Sequence, residues 1–365
     1  MSTEYGKNLK ISIYGGSHDE LIGIRAKNLP KGFKFSLSDL LDFMARRAPG
    51  KNEFSTTRKE ADVPEFLTGA DICEDTLTLN GDELHAIIKN TSQRSADYRQ
   101  DSFIPRPSHA DFAAYKKYGG NVDLRGGGHF SGRLTAPLCI VGGICLQFLR
   151  TRGIEIKAHL YAVGNVKDAP FDMANVSYDD FALLDKRSDF PVLSLDAGEL
   201  MKEKIQKARL DGDSVGAIIE CAAIGLPVGL GEHIFDGVEN RISSIVFGIP
   251  AVKGIEFGNG FECASLLGSQ NNDPFIIKDG EIKTATNNCG GILGGMTNGM
   301  PLIFRAALKP TPSIFKEQQS VDVINMQQTT LQIKGRHDPC IALRAIPVFE
   351  AATAIAICDM LLDNN

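Results

Sequence analysis

Apolar and polar positions along the chain predict a mixture of short strands and amphipathic helices. Ile11–Tyr14 reads as a strand that ends in two glycines and is followed at once by polar residues. Ser36 predicts the cap of a helix with Asp39 at its third position, and the apolar side of this helix ends at Arg46-Arg47. These two cations suit the negative end of a helix dipole, and an anion site is the alternative.

Longer apolar runs predict the core. Gly132–Arg150 reads as a buried helix that starts beside a glycine run, and Ala345–Leu362 reads as a second apolar helix that closes the core. The more polar middle, residues 154–212, contains a helical run at Gly198–Arg209 and reads as structural. β-branched stretches between glycine-rich turns predict strands at Val215–Ile219, Ala251–Phe257 and Leu302–Phe304. The pattern is typical of a mixed α and β fold.

The composition is that of an ordinary globular protein with small partners. The chain has 365 residues, of which 23% are charged, and its net charge of -6 argues against a nucleic-acid surface. The N-terminus lacks a basic and then apolar signal, and the apolar runs near Ala136–Leu149 and Ala351–Leu362 are interrupted and short for a membrane span. We expect a cytoplasmic protein that binds neither nucleic acid nor membrane.

Eight cysteines are scattered along the chain without the close pairs that zinc sites and redox dithiols use. We expect reduced and mostly buried thiols. Cys340 follows His337-Asp338-Pro339, and inert packing suits it better than the role of a nucleophile. Histidines and carboxylates lack the helical spacing of metal ligands, so we predict no metal site.

The chemistry of the chain concentrates in residues 106–135, which contain two histidines, three arginines and the glycine run 126–128. Glycines let a backbone approach a ligand, arginines bind anionic oxygens through forked hydrogen bonds, and histidine exchanges protons near neutral pH. Neither this run nor a second glycine cluster at 287–299 carries a nucleotide-binding fingerprint. We predict an anionic substrate and acid–base chemistry.

The histidines divide by context. Those in polar, turn-like surroundings are candidates for this chemistry, namely His18, His109 and His337. Asp111 could orient the ring of His109, although a loop capped by its own polar groups is the alternative. Histidines among apolar or strand-like neighbours read as structural, namely His85, His159 and His233. The basic clusters adjoin Gly, Ser or Thr, which favours a convergent anion pocket over solvated faces, and they include Arg46-Arg47 and Arg58-Lys59.

A set of strings that spans nearly the whole chain resembles the chorismate synthase family in sequence and order. The strings are SHD at 17–19, RRAPG at 46–50, TRKEAD at 57–62, RPSHAD at 106–111, RGGGHFSGRLT at 125–135, IPAVKGIEFGNGF at 249–261, GGILGGMTNGMP at 290–301, KPTPSI at 309–314 and GRHDPC at 335–340. Only the middle segment and part of 68–92 match poorly.

The resemblance implies a lyase that converts 5-enolpyruvylshikimate 3-phosphate to chorismate by an anti 1,4-elimination of phosphate, in aromatic amino acid biosynthesis. The family requires reduced FMN although the reaction has no net redox change, so the cofactor carries the difficult chemistry. It also implies a single α+β domain over residues 1–365, with helices packed between antiparallel sheets, and a homotetramer. A separate flavin reductase would supply the reduced FMN, so NADPH would act only indirectly.

Carried onto this chain, the resemblance implies a catalytic group. His18 would protonate the leaving phosphate, His109 would protonate the reduced flavin, and Asp338 would work with Ser17 in proton transfer. Substrate anions would be bound by Arg46, Arg47, Arg106, Ser131, Arg133 and Arg336. The flavin would be contacted by His129, Phe130, Ser131, Ala251, Gly294, Lys309, Pro310, Thr311, Pro312, Ser313 and Arg336.

The chain departs from common family forms in three motifs. GESHG is GGSHD here, RRRPG is RRAPG, and RGGGRSSARET is RGGGHFSGRLT, while a TTGT segment near 76–84 is missing. The carboxylate of Asp19 beside His18 is expected to favour the protonated ring and to repel phosphate. Two other interpretations therefore stay open: an FMN-dependent oxidoreductase acting on another cyclic acid, and a catalytically altered homologue that binds FMN or phosphate.

Overall fold

The computed structural model describes residues 3–50, 62–90, 102–121, 123, 125–333 and 338–364. In this part of the chain, two five-stranded sheets enclose a layer of helices, and neighbouring strands run antiparallel. The prediction of an α+β sandwich with helices between antiparallel sheets is confirmed.

The N-terminal part of the chain builds the first sheet, in the order β1-β2-β3-β8-β5. A separate three-stranded sheet has the order β4-β7-β6, and helix α1 (Leu37–Arg47) follows β4. The strands are β1 (Thr3–Tyr5), β2 (Lys10–Gly15), β3 (Leu21–Lys27), β4 (Lys34–Ser36), β5 (Glu65–Thr68), β6 (Ala70–Cys73), β7 (Thr76–Leu79) and β8 (Leu84–Lys89).

The rest of the chain builds the second sheet, in the order β10-β9-β11-β17-β12, and three hairpins outside it, β13–β14, β15–β16 and β18–β19. The elements are α2 (Asp111–Lys117), α3 (Thr135–Arg150), β9 (Glu155–Val163), β10 (Val166–Lys167), α4 (Tyr178–Lys186), α5 (Leu195–Leu210), β11 (Ala217–Ile224), α6 (Val238–Val246), β12 (Val252–Phe257), α7 (Gly268–Asn271), β13 (Phe275–Lys278), β14 (Glu281–Thr284), β15 (Ile292–Leu293), β16 (Met296–Thr297), β17 (Leu302–Leu308), β18 (Gln318–Asp322), β19 (Gln327–Leu331) and α8 (Ala342–Leu361).

Two apolar helices, α3 and α8, form the centre of the sandwich. Helix α3 packs on β3 and β8 of the first sheet, and α8 packs on β9 and β11 of the second. The two helices touch each other where Gly142 meets Ala351, and a Cβ on Gly142 would lie 2.2 Å from the Cβ of Ala351. Glycine is therefore required at this crossing, because any side chain would push the helices apart.

One stretch, Gly132–Arg150, is long and apolar enough to cross a membrane by length and composition alone. It comprises a short 3-10 helix at Gly132–Leu134 and helix α3. In the structure, 78% of its most apolar window is buried inside the protein. The stretch is thus accounted for as a core helix.

Most predicted elements are confirmed with shifted ends. Ser36 caps α1, where its hydroxyl accepts a hydrogen bond from the backbone N–H of Asp39 at 3.1 Å. The strand predicted at Val215–Ile219 starts two residues later and continues to Ile224, and the one predicted at Leu302–Phe304 extends to Leu308. The short predicted segments captured the buried positions, whereas antiparallel partners on both sides extend the strands beyond them.

The polar middle of the chain has the structural role predicted for it. It contributes β9 to the second sheet, and its loops and α4 cover that sheet with a small apolar cluster formed by Phe171, Val176, Phe181, Leu184, Ala222, Ile224 and Ile303. Under this cover, His159 is fully buried and bonded to two carboxylates, Asp168 at 3.1 Å and Glu220 at 2.8 Å.

The cysteines are free thiols and five of the eight are buried, as predicted. Burial raises the pKa of the Cys340 thiol to about 12, so that it is protonated near neutral pH. The prediction that Cys340 packs inertly rather than acting as a nucleophile agrees with this environment.

Candidate active site

The glycine run 126–128 is the meeting point of two histidines. It lies in the turn segment Arg125–Phe130, where the φ angles of the three glycines are 59°, 113° and 51°, in the region that only glycine adopts readily. A Cβ on Gly126 would lie 1.9 Å from the ring of His18, and one on Gly127 would lie 3.5 Å from Nε2 of His109. The absence of side chains on the glycines lets both rings approach one stretch of backbone.

His18 is held by the turn that follows β2. The hydroxyl of Ser17 lies 3.1 Å from Nδ1 of His18, and the backbone N–H of Ser17 donates to the carbonyl oxygen of Gly128 at 3.1 Å. The amide of Asn90 donates to the carbonyl oxygens of Gly16 and Asp19, at 3.2 and 2.8 Å, and so closes the turn. Ser17 and His18 are thus joined to the glycine run.

His109 and Arg106 share one buried carboxylate, that of Asp111 at the start of α2. Nδ1 of His109 lies 2.6 Å from Oδ1 of Asp111. Arg106 donates to both carboxylate oxygens at 2.7 Å and also through its backbone N–H at 3.0 Å. Burial alone would raise the pKa of Asp111, but the hydrogen bonds from Arg106 and His109 outweigh it and hold that pKa well below its usual range. The prediction that Asp111 orients the ring of His109 agrees with this geometry.

Arg47 and Arg133 converge on a second buried carboxylate, Asp62. Nη1 of Arg47 donates to Asp62 at 2.7 Å, and Nη1 of Arg133 donates to its other oxygen. Arg47 also donates from Nε to Thr135 at 3.2 Å and from Nη2 to the carbonyl oxygen of Gly132 at 2.9 Å. Burial would raise the pKa of Asp62, but the two guanidinium groups hold it below its ordinary value. The two arginines are thereby fixed at the start of α3.

Arg46 lies away from this group although it adjoins Arg47. Its guanidinium donates to both oxygens of Glu350 in α8, at 2.6 and 2.8 Å, and Glu350 is buried. Arg46 also lines a separate cavity of about 380 Å³ between α1, α3 and β9. The structure does not bring Arg46 to the glycine run, so its predicted contact with substrate has no support from its position.

Asp338 joins the group through Arg344, which none of the sequence motifs contains. Nη1 of Arg344 donates to Asp338 at 2.7 Å, and its Nε donates to the backbone carbonyl oxygen of Arg47 at 3.1 Å. Ile341, between them in sequence, lies 3.7 Å from where a Cβ on Gly132 would be. The start of α8 thus meets the start of α3 beside the glycine run.

The residues after the glycine run are held by local bonds. Nδ1 of His129 lies 2.7 Å from the carbonyl oxygen of Gly15, which ties this ring to the end of β2. Phe130 packs edge-on against His129. The hydroxyl of Ser131 caps the next 3-10 helix by accepting from the backbone N–H of Arg133 at 3.2 Å. A Cβ on Gly127 would lie 3.4 Å from the Cβ of Ser131 and 3.5 Å from Nε2 of His109, so Ser131 and His109 border the same glycine.

The segment Lys309–Ser313 reaches the histidine side of the site. Nζ of Lys309 donates to the carbonyl oxygen of Ser108 at 2.6 Å. The backbone N–H of Lys309 donates to the carbonyl oxygen of Ala251 at 2.9 Å. The hydroxyl of Ser214 donates to the carbonyl oxygen of Thr311 at 2.7 Å. The hydroxyl of Thr311 is buried and has no hydrogen-bond partner among the described residues. Pro310, Pro312 and the buried Ser313 complete the segment. Gly294 forms the turn of the β15–β16 hairpin, where its neighbour Gly295 packs on the start of α6.

Arg336 and His337, together with Arg58-Lys59, lie outside the described residues. The other predicted histidine assignments are consistent with the contacts observed. His85 bonds to Tyr14 on the first sheet, His159 is buried in the second sheet, and His233 is exposed beside Glu232.

Four residues of this region were not assigned by sequence reasoning: Asp62, Asn90, Arg344 and Glu350. Asp62 is the last residue of the motif TRKEAD at 57–62. The only sign of its role in the sequence is that it is an acidic residue close to Arg58-Lys59. The partners of Asp62 and Glu350 are 15 to 304 residues away in sequence, and no spacing rule links such positions.

The arrangement combines proton-exchanging rings with buried cations around a backbone that a ligand can approach. Ser17, His18, His109, Arg106, Ser131 and Arg133 are brought together by the glycine run and the start of α3. Such a site can bind an anion and transfer protons at two different atoms of it.

Comparisons with known proteins agree with this chemistry. A sequence profile described as "Chorismate synthase" matches residues 9–362. The chain is 43% identical over 370 residues to the chorismate synthase of Lancefieldella parvula, covering 99% of this chain and 96% of that one. It is 44% identical over 357 residues to that of Thermococcus kodakarensis, covering 98% and 97%. A solved structure described as "Crystal Structure of Chorismate Synthase" superposes with a TM-score of 0.76 at 26% identity, covering 98% of this chain and 93% of that one.

Proposed function

The chain belongs to the chorismate synthase family and is a carbon–oxygen lyase of the shikimate pathway, and we propose that it converts 5-enolpyruvylshikimate 3-phosphate to chorismate and phosphate. The step is an anti 1,4-elimination in which one ring C–H bond and the C–O bond to phosphate break and a second ring double bond forms. The observation that carries the proposal is the convergence of His18 and His109 on the glycine run, next to arginines.

Reduced FMN is the cofactor that we propose for this reaction. The residues of the Lys309–Ser313 segment suit such a group, because the buried hydroxyl of Thr311 lacks a partner in the described part of the chain and Lys309 supplies a cation in the same segment. Lys309, Thr311 and Ser313, with Ser131, Ala251 and Gly294, would hold the cofactor. When bound, reduced FMN supplies a transient electron donor or proton acceptor for a reaction without net redox change.

The protein's own residues would bind the substrate and move its protons. His18 would donate a proton to the leaving phosphate oxygen through Nε2, because the hydroxyl of Ser17 faces Nδ1. Nε2 of His109 faces the glycine run and would be the atom at which this ring exchanges the second proton. Asp338, which pairs with Arg344, would serve proton transfer together with Ser17.

Anion binding would fall to Arg106, Arg133 and Ser131, and to Arg336 outside the described residues. Arg47 is only 3% exposed, and each of its three nitrogens already donates to a protein oxygen. We therefore propose that Arg47 acts through the position of Gly132 and α3 rather than by touching the substrate. Flavin contacts by His129 and Phe130 stay a prediction, since the bond to Gly15 sets where the His129 ring lies.

An anaerobic assay with dithionite-reduced FMN and the enolpyruvyl substrate tests the proposal. We expect chorismate and phosphate to form in equal amounts, and a His18→Gln variant that still folds to lose most of this turnover. Bound flavin without any chorismate would instead indicate a catalytically altered homologue. Net oxidation of the flavin with another cyclic acid would indicate an oxidoreductase.

We further propose that residues 1–365 act as one cytoplasmic domain that assembles into a homotetramer. One continuous apolar cluster connects both sheets with α3 and α8, which supports the single domain. Reduced FMN would come from a separate flavin reductase, so that NADPH acts only indirectly. With NADPH and oxidised FMN under anaerobic conditions, we expect turnover only after a reductase is added, and turnover without it would show a reductase activity in this chain.

A further inference from the structure

We propose that Asp111 is a positioning residue that keeps the proton of neutral His109 on Nδ1, so that Nε2 presents its lone pair to the ligand beside the glycine run. The inference deepens the proposed function, because it assigns the proton-accepting atom of one of the two histidines. It concerns the resting protein, however, and can be tested without turnover.

The hydrogen bonds of Asp111 leave only one role for Nδ1. Oδ2 of Asp111 accepts from Nε and from the backbone N–H of Arg106, at 2.7 and 3.0 Å. Oδ1 accepts from Nη2 of Arg106 at 2.7 Å and lies 2.6 Å from Nδ1 of His109. An ionised carboxylate can only accept hydrogen bonds. Nδ1 must therefore be the donor in this contact, which places the single proton of the neutral ring there.

Arg106 makes this assignment stricter. Nη2 of Arg106 lies 3.2 Å from Nδ1 of His109 and, having only donors, could bond only to a lone pair on Nδ1. Such a lone pair would face the carboxylate oxygen Oδ1 at 2.6 Å, and Nη2 already donates to that oxygen at 2.7 Å, so the carboxylate decides the tautomer. The three bonds from Arg106 to Asp111 also favour the ionised carboxylate, consistent with the depressed pKa of that group. Arg106 thus removes the alternative in which Asp111 carries the proton and donates it to the ring.

The ring is also fixed from its other sides. The backbone N–H of His109 donates to the carbonyl oxygen of Arg106 at 3.2 Å, and Lys309 donates to the preceding carbonyl, that of Ser108. A Cβ on Gly127 would meet Nε2 of His109 at 3.5 Å and the Cβ of Ser131 at 3.4 Å, and a Cβ on the adjacent Gly126 would meet the ring of His18 at 1.9 Å. Among the described residues, the charged or titratable groups that these contacts place near His109 are Arg106 and Asp111 on its own segment, Lys309 through Ser108, and His18 at the adjacent glycine.

An Asp111→Asn substitution is expected to reverse the tautomer. The amide oxygen takes the Oδ2 position, because both groups that face it are donors of Arg106, whereas one of the two groups that face Oδ1 is Nδ1 of His109, which can become an acceptor; Nη2 of Arg106 then loses its bond at the Oδ1 position. The amide nitrogen then occupies the Oδ1 position and donates to Nδ1 of His109. The ring has to accept at Nδ1 and carry its proton on Nε2, which blocks the lone pair that faces the ligand. Asp111→Glu keeps an acceptor and should retain the original tautomer.

Long-range ¹H–¹⁵N correlation spectra of protein labelled with ¹⁵N-histidine report the tautomer of each ring. The His109 signals are assigned by their loss in His109→Gln. The spectra are recorded at alkaline pH, so that the neutral ring is observed. We expect the Nδ1–H form in the natural protein and in Asp111→Glu, and the Nε2–H form in Asp111→Asn. An Nε2–H form in the natural protein would overturn the proposal, and that measurement needs a variant only to assign the His109 signals.

Kinetics supply the second readout. If His109 accepts or returns a proton during turnover, Asp111→Asn should lower kcat by about 100-fold or more and change KM much less. Asp168→Asn is the matched control, because Asp168 bonds to Nδ1 of His159 in the second sheet, away from this site. We expect it to leave the His109 signals and kcat unchanged. A folded Asp111→Asn protein with the original tautomer and full kcat would contradict the proposal, whereas a natural protein that makes no chorismate but shows Nδ1–H would contradict only the proposed function.

Discussion

Single buried carboxylates determine what the arginines of this protein do. Asp62, Asp111 and Glu350 each bind one or two guanidinium groups at hydrogen-bond distance. Arg46 and Arg47 are neighbours in sequence, yet Glu350 directs one into the core between α1 and α8 while Asp62 directs the other to the start of α3. Charge counting along the sequence treats such a pair as one basic patch, whereas the partners divide its functions.

Asp62→Asn is expected to be one of the most destabilising single changes in the chain. The substitution leaves two buried guanidinium groups facing each other with one neutral acceptor between them. Loss of one partner from a buried ion pair costs about 3–5 kcal/mol. Urea unfolding at neutral pH should show this decrease in the free energy of unfolding, together with a loss of turnover in the protein that remains folded.

Glu83→Gln serves as the comparison for this change. Glu83 pairs with Arg25 at 3.1 Å on the exposed face of the first sheet, where screening limits an ion pair to less than about 1 kcal/mol. Equal losses of stability for Asp62→Asn and Glu83→Gln would show that Asp62 does not hold the two arginines in the way described.

Which site residues the sequence reveals depends on how local their partners are. The contact between His109 and Asp111 spans two positions and was predicted from the motif alone. The contact between Arg133 and Asp62 spans 71 positions and was not predicted. A motif reveals residue types and short-range orientation, whereas a pairing between distant elements exists only after the sheets and helices have packed.

At the scale of elements, the second sheet carries a row of charged residues across four strands. In the strand registers, His159 of β9 lies opposite Glu220 of β11, Glu220 lies opposite Arg305 of β17, and Arg305 lies opposite Glu256 of β12. Arg305 donates to Glu220 at 2.7 Å. Opposite charges at directly opposed positions stabilise a sheet and help to fix its register.

His159 makes the stability of this sheet depend on pH. Burial would lower its pKa, but the hydrogen bonds to Asp168 and Glu220 outweigh it and raise that pKa above 6.5. The folded state then binds more protons than the unfolded state above pH 6.5. The contribution of His159 is therefore complete below about pH 6.5 and is lost as the pH rises through the folded pKa, by at most about 1.4 kcal/mol per pH unit.

The difference in unfolding free energy between the natural protein and His159→Gln isolates this effect. We expect the difference to be largest near pH 5 to 6, where the two carboxylates are ionised in both states, and to shrink steadily above about pH 6.5. His233→Gln is the control, because that ring is exposed beside Glu232. A pH-independent difference for His159→Gln would mean that the pKa of the ring is the same in the folded and unfolded states, and a difference that decreases as the pH falls below 6.5 would mean that the folded protein keeps the ring neutral.

Helices were predicted correctly where the local sequence alone determines the secondary structure. Apolar runs and a serine cap predicted α1, α3 and α8, and the observed ends differ by a few residues. The order of strands in the sheets was not predicted, because β8 lies between β3 and β5 and β17 lies between β11 and β12 only through tertiary pairing. A strand's neighbours are chosen by which apolar faces can cover α3 and α8, and no local pattern records this choice.

At the scale of the whole molecule, the β13–β14 hairpin leaves large apolar side chains in solvent. Phe275, Ile277 and Ile282 are 69%, 82% and 71% exposed, and Leu267 just before the hairpin is exposed as well. A two-stranded hairpin is at best marginally stable alone in water. Apolar patches of this kind mark surfaces that other proteins cover. The proposed homotetramer supplies such a cover, with a second copy of the chain as the partner.

Ile277→Glu tests whether this hairpin holds subunits together. A carboxylate placed in an apolar interface loses its hydration without gaining a partner, so the substitution should shift the assembly toward smaller species. Light scattering coupled to size-exclusion chromatography at micromolar concentrations measures the mass directly. Leu210→Glu is the matched control, because Leu210 is 77% exposed at the end of α5, on a different element. If the natural protein is a tetramer and both variants remain tetramers, the contact between subunits lies elsewhere. If the natural protein is a monomer, the proposed assembly is wrong and the hairpin is exposed for another reason.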